Sequence, residues 1–122
     1  MILVDTSVWV EHLRRGEPDL ARRLDAGEAL SHPLVIGELA IGNLHPRDAV
    51  LHALRRLPRA VLATDDEVLA LIERERLYGL GVGYVDAHLL ASTRLSPGAT
   101  LWTRDRRLAE VANRLGVAAA SG

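Results

Sequence analysis

Four acidic side chains occupy positions in this sequence where a charge is unexpected. Asp5 and Asp105 follow short apolar stretches that have the pattern of buried strands. Glu38 and Asp86 fall within apolar stretches that have the pattern of helices. Because charged side chains rarely occupy apolar surroundings unless they are paired or bound to a metal ion, these residues are the first candidates for chemistry.

Each acid also has a purely structural explanation. Asp5 and Asp105 could cap helices, and Asp86 could interact with the dipole of a first helical turn. Glu38 could pair with an arginine. Taken one at a time, these explanations are preferable to a catalytic role. Together they would have to account for acids at positions that can converge on one end of one sheet, and this joint pattern favours a shared site.

Converging carboxylates predict a particular chemistry. They raise one another's pKa through desolvation and through repulsion between like charges. A divalent cation relieves the repulsion, and oxygen ligands without Cys or a cluster of His favour Mg²⁺ or Mn²⁺ over Zn²⁺. Such an ion can activate water and stabilise in-line displacement at a phosphate. The four acids therefore predict a metal site suited to phosphoryl chemistry.

The start of the chain indicates how a carboxylate would reach such a site. Residues 2–4 form a continuous apolar run, as in a strand that is buried on both faces. Asp5 closes the run, and either Thr6 or Ser7 can cap the helix that follows. Open α/β sheets bind their ligands in crevices at the carboxyl ends of the strands, which is where this arrangement places Asp5.

The remaining pattern alternates strands with amphipathic helices and predicts an α/β fold. We expect a three-layer α/β/α sandwich around a parallel sheet of four to five strands. The 122 residues fit a single domain, residues 1–122, with one core. The strands are predicted at 2–4, 29–31, 60–63 and 99–102, with an edge strand at 117–118.

Composition narrows the possible classes of protein. No apolar run approaches the roughly 20 residues that span a bilayer, and no signal peptide is visible, so no membrane association is predicted. Cysteine is absent, which fits a reducing cytoplasm. All 15 basic residues are Arg, so any function that needs a catalytic lysine amine is excluded.

Four short motifs resemble those of the PIN-domain ribonucleases and, within these, the VapC-type toxins of bacterial toxin–antitoxin pairs. Their order and spacing extend over nearly the whole chain. Each motif is weak alone, and together they are fairly specific. The motifs are Val4-Asp5-Thr6-Ser7-Val8-Trp9, Glu38-Leu39-Ala40-Ile41-Gly42, Gly83-Tyr84-Val85-Asp86-Ala87-His88-Leu89-Leu90-Ala91 and Thr103-Arg104-Asp105.

The resemblance implies a PIN-like fold and a metal-dependent endoribonuclease that cleaves RNA by metal-activated water. By that resemblance, the four acids bind Mg²⁺ or Mn²⁺ or activate water. Ser7 and Thr103 match positions that help to hold the metal's water or the phosphate. It also implies an RNA substrate, single-stranded or structured, a cognate antitoxin protein and a homodimer.

Three other classes of protein can be compared with these residues. A phospho-accepting receiver domain needs a Lys near its acidic pocket, and the sequence has none. A haloacid-dehalogenase-type phosphatase needs a second Asp two residues after the first, and Ser7 stands there. A catalytically silent module that binds RNA or a protein partner stays open, and metal-dependent RNA cleavage would separate it from the nuclease.

Several arginines follow elements that are predicted to end near the acids. Arg suits bidentate contacts to phosphate, so these residues are candidates for binding the RNA backbone, although a merely solvated role is equally compatible with each. The five histidines are scattered, and His88 lies on a different helical face from Asp86, so no His is predicted as a ligand. The arginines are Arg14, Arg15, Arg104, Arg106 and Arg107.

Overall fold

The computed structural model describes residues 1–120, and its centre is a parallel sheet. The strand β1 (Ile2–Val4) lies between β2 (Ala29–Leu30) and β3 (Thr100–Trp102). Ile2 is aligned with Ala29 on one side and with Thr100 on the other. All three residues of β1 are buried, as its unbroken apolar run predicts.

Seven helices surround this sheet within residues 1–120. They form two packed groups, since α1 contacts α3 and α3 contacts α4, whereas α5 contacts α6, which lies against β3. The alternation of strands and helices confirms the predicted α/β class. The helices are α1 (Thr6–Arg15), α2 (Pro18–Asp25), α3 (Pro33–Ile41), α4 (Arg47–Arg56), α5 (Asp65–Glu75), α6 (Tyr84–Leu95) and α7 (Arg106–Arg114).

The two outer segments of the predicted sheet pair more weakly than expected. Segment 60–63 is not a regular strand, because only one bridge, Ser31 to Arg59, joins this part of the chain to β2. Two of its amide groups bond instead to the hydroxyls of Ser92 on α6 and of Ser96, which caps the end of that helix. Segment 117–118 likewise contributes one bridge, from Leu101 to Ala118. Three strands and two single bridges therefore place five parallel segments side by side.

The first helix is capped by the residue before Thr6 and Ser7. Asp5 rather than Thr6 or Ser7 is the N-cap of α1, and its carboxylate accepts a hydrogen bond from the Ser7 amide. The sequence left Asp5 open as a cap as well, and Asp5 takes the role because α1 already begins at Thr6, so the residue with the extended conformation that an N-cap requires is Asp5. The helix then begins directly after this carboxylate.

The carboxyl ends of β1 and β3 meet at one edge of the sheet. The Asp5 amide donates to the carbonyl of Trp102 across 2.9 Å and so extends the strand pairing by one residue. Because the two strands are parallel, the residues that follow them, Asp5 and Thr103, emerge side by side. Among residues 1–120, no helix has the length and apolar character that crossing a membrane requires.

Candidate active site

The Asp5 carboxylate is the centre of a hydrogen-bond network that joins two elements distant in sequence. Its Oδ2 atom accepts hydrogen bonds from the Ser7 hydroxyl at 2.6 Å and from the Thr103 hydroxyl at 2.8 Å. Asp5 is buried with 6% of its surface exposed, so these donors compensate for much of the water it has lost. The network fixes this carboxylate at the carboxyl end of the central strand.

Asp105 is tied to the same network through Thr103. The Thr103 hydroxyl, which donates to Asp5, also accepts the Asp105 amide at 3.0 Å. In the same way, the Ser7 hydroxyl accepts the Arg104 amide at 2.9 Å. Asp105 caps α7 by accepting the Leu108 amide at its Oδ1 atom. The two hydroxyls thus hold the turn after β3 against the start of α1.

Glu38 reaches the site from α3 through a residue that the sequence did not indicate. The Thr6 hydroxyl donates to the Glu38 Oε1 atom at 2.6 Å, and Thr6 directly follows Asp5. Glu38 is exposed and has a hydroxyl partner, so the predicted alternative of an ion pair with an arginine is not what the structure contains. No spacing in the sequence relates positions 6 and 38, and only the packing of α1 against α3 brings them together.

Asp86 completes the group from the first turn of α6. Its Oδ2 atom accepts the Gly83 amide at 3.0 Å and so satisfies a backbone donor at the start of the helix. Burial raises the pKa of Asp86 above its ordinary value, and the negative charges of Asp5, Asp105 and Glu38 raise it further, against the opposing effect of the Gly83 amide. Asp5, Asp105 and Glu38 are therefore close enough to act electrostatically on Asp86.

In each of these carboxylates, the hydrogen bonds within residues 1–120 reach a single oxygen. The second oxygen of each is left without a protein donor in that part of the chain. In the same range, no group of three or more His, Cys, Asp or Glu side chains is already arranged to hold a metal ion. The acids therefore surround a common region without converging on one point.

Comparison with known proteins decides the family. The family model for the PIN domain matches residues 2–114. This chain belongs to the PIN-domain family. Ribonuclease VapC32, from two strains of Mycobacterium tuberculosis, is 53% identical to it over 120 residues, which cover 98% of this chain and 97% of the relative. The resemblance to VapC-type PIN-domain ribonucleases, drawn above from four short motifs, is confirmed.

The arginines of this PIN domain differ in the contacts that their side chains make. Arg14 lines the same groove as Glu38. Arg15 instead pairs with Glu11 at 2.9 Å, and the Arg106 guanidinium lies 4.0 Å from Glu110, both along their own helices. The backbone amide of Arg104 belongs to the Asp5 network through Ser7, and its side chain is exposed. Contact between these side chains and RNA stays a prediction.

Proposed function

We propose that this PIN domain is an Mg²⁺- or Mn²⁺-dependent endoribonuclease that cleaves single-stranded RNA and acts as the toxin of a type II toxin–antitoxin pair. The grouping of four carboxylates around the carboxyl end of the sheet carries the proposal, because hydrogen bonds bring Asp5, Glu38 and Asp105 together there and their charges also act on Asp86. A site that concentrates negative charge in this way repels a phosphodiester unless a cation is present. The name of the relative, a ribonuclease, supports the same activity.

The donor set fits a hard divalent cation. It consists of carboxylate oxygens, four of them without a protein donor in residues 1–120, and it includes neither Cys nor His. Mg²⁺ and Mn²⁺ prefer such ligands, and Mg²⁺ commonly keeps several waters, so it does not need all four acids at once. We assign Asp5, Glu38, Asp86 and Asp105 to this cation, which would supply an activated water and charge neutralisation at the phosphate.

The side chains of this domain divide the remaining work. Ser7 and Thr103 use their hydroxyl protons to orient the Asp5 carboxylate, so they act as positioning residues. Thr6 does the same for Glu38. Asp86 accepts the Gly83 amide at its Oδ2 atom, which leaves its Oδ1 atom without a protein donor in residues 1–120 and available to the cation.

A cleavage assay on single-stranded RNA, with Mg²⁺, with Mn²⁺ and with excess chelator, tests the activity. Wild type should cleave only with a divalent ion, and Asp5→Asn, which keeps the shape and removes the charge, should fold and not cleave. Asp25→Asn is the matched control, because Asp25 is an exposed acid at the end of α2, and it should cleave like wild type. Cleavage in chelator, or by Asp5→Asn, would refute the proposal. RNA binding without cleavage would favour the silent module.

Thermal unfolding provides a second test that does not depend on activity. Binding to the folded state alone raises the melting temperature by mass action. Mg²⁺ or Mn²⁺ should therefore stabilise wild type and should have no effect when Asp5, Asp86 and Asp105 are all changed to Asn. An equal shift in that triple variant would show that the ions bind elsewhere.

The proposed antitoxin has an apolar surface available on the first helices. A groove of about 210 Å³ lies between α1, α2 and α4. We propose that an antitoxin segment docks in it by apolar side chains and carries an Arg to the carboxylates, where a guanidinium can replace the metal. The groove is lined by Trp9, His12, Leu13, Leu24, Val50, Ala53, Leu54 and Leu57.

Growth and co-purification test this partner. Wild type expressed alone should arrest a bacterial host, Asp5→Asn should not, and the product of the adjacent small gene should restore growth and co-purify. A harmless wild type without such a partner would refute the toxin role while leaving the nuclease untouched. We also propose a homodimer that works in the cytoplasm, and light scattering of the purified protein tests the dimer.

A further inference from the structure

A second groove opens beside the acids. It has a volume of about 360 Å³, which lies within the range of roughly 300–1,000 Å³ that is common for small-molecule sites. Its walls include the apolar side chains of Val10 and Leu13 on α1 and of Leu39 on α3. Val10 and Leu13 are 42% and 41% exposed, so the apolar floor is open to solvent.

The outer rim of this groove is polar and is held in place. Asn43 and His45 lie on the connection between α3 and α4, and both side chains are exposed. Arg47 donates to the carbonyl of Ala40 at 2.7 Å and to that of Gly42 at 3.4 Å, which ties the start of this connection to the end of α3. The connection that carries the rim is therefore tied across its two ends by Arg47, the first residue of α4.

The groove is continuous with the proposed catalytic site. Glu38 and Thr6, which are joined by a 2.6 Å hydrogen bond, form its inner end. Arg14 lines it and brings a positive charge to the side of a strongly negative site. A ligand in this groove would therefore lie next to the carboxylates, with a guanidinium available for a phosphate.

We propose that this groove holds one unstacked nucleobase of the RNA next to the cleaved phosphate and thereby sets the sequence preference of cleavage. The inference rests on the proposed nuclease function. Single-stranded RNA is read by splayed bases that place their faces on apolar or aromatic side chains and their edges on amides. Val10 and Leu13 supply the apolar face, and the Asn43 amide supplies both a donor and an acceptor for a base edge.

The polar ends of the groove favour a base over a protein segment. Its inner end is the Glu38 carboxylate and its outer end is the Asn43 amide, so only a short apolar stretch lies between two polar ends. One flat, edge-polar group matches that arrangement. The neighbouring groove between α1, α2 and α4, which is assigned above to the antitoxin, is lined by apolar side chains apart from His12.

The test compares the kcat/KM of RNA oligonucleotides that differ only in the base beside the cleaved bond. Asn43→Ala should reduce the discrimination between bases by about 5- to 150-fold, the range for one good bidentate side-chain–base pair. Val10→Phe should fill the groove and remove the preference. Two matched controls, Asn113→Ala and Ile41→Phe, change an exposed residue of the same type outside the groove and should keep the wild-type ratio.

A binding measurement separates this inference from the nuclease proposal. In Asp5→Asn with chelator, the methyl NMR signals of Val10 and Leu13 should shift on addition of one ribonucleoside 5′-monophosphate more than of the other three. Unchanged cleavage preference in both Asn43→Ala and Val10→Phe, or methyl signals that ignore all four nucleotides, would overturn the inference. Loss of antitoxin binding by these variants, with the cleavage preference unchanged, would also overturn the inference. If wild type cleaves no RNA, the proposed nuclease activity is refuted. The methyl shifts would still show whether the groove binds a base.

Discussion

Acidification should destabilise this domain through one buried histidine. His32 is 2% exposed and caps α3, where its Nδ1 atom accepts the Leu34 amide. An acceptor at Nδ1 leaves the proton on Nε2, which lies 3.1 Å from the Ser92 hydroxyl. Burial, followed by the positive charges of His88 and Arg59, lowers the pKa of His32 from 6.5 to about 4.

The sign and the size of the effect follow from that pKa. A histidine whose pKa is lower in the folded state binds a proton more readily when unfolded, so its stabilising contribution is complete above pH 6.5 and is lost as the pH falls toward 4. Between pH 7 and pH 5 the loss is about 2 kcal/mol, and the full loss at lower pH is about 3 kcal/mol.

Urea unfolding at pH 7 and pH 5, in chelator, measures this loss. His32→Asn keeps a good helix cap that cannot be protonated, so its difference between the two pH values should be smaller than that of wild type by about 2 kcal/mol. The raised pKa of Asp86 acts in the opposite sense in both proteins and cancels in the comparison. His52→Asn, which removes an exposed histidine from α4, should keep the wild-type difference. Equal differences in wild type and His32→Asn would refute the reasoning.

Three further substitutions test individual contacts. Thr6→Val removes the donor to Glu38. One hydrogen bond contributes about 1 kcal/mol, so the rate of RNA cleavage in a steady-state assay should fall about 5- to 10-fold. The melting temperature should change little. Gly81→Ala should lower the free energy of unfolding in urea by about 1–2 kcal/mol, because φ is +80° there and the new Cβ meets the Arg107 guanidinium. Gly37→Ala, in α3 with open space around it, should instead raise that free energy by about 0.5–1 kcal/mol. Equal effects of the two alanines would contradict the geometric argument.

The sequence was sufficient for features that depend on local pattern. The apolar run before Asp5 predicted the central strand, and the alternation of strand and helix patterns predicted the α/β class. The sequence pattern suggested that an acid would be either a helix cap or a site residue, and the structure shows that one residue can be both. Asp5 and Asp105 are both N-caps and members of the acidic group, since the end of a strand that leads into a helix is where both roles arise.

Features that depend on distant partners could not be predicted. Residues 60–63 have a strand-like composition, but the hydroxyls of Ser92 and Ser96 take two of their amides, and no local pattern records that competition. The Thr6–Glu38 hydrogen bond joins residues 32 positions apart and depends on how α1 packs against α3. The roles proposed for the four acids rest on such contacts and on the family resemblance together.

The pairing of β1 with β3 also determines at which stage of translation the acidic site can form. Asp5 is synthesised before its partner Thr103, which follows 98 positions later. At about 5–20 residues per second, a ribosome needs roughly 5–20 s to cover that distance. Until then the turn that carries Asp105 is missing and nothing holds the Asp5 carboxylate from that side. A nascent chain built in this order has no complete acidic site while the ribosome is still between the codons for Asp5 and Thr103.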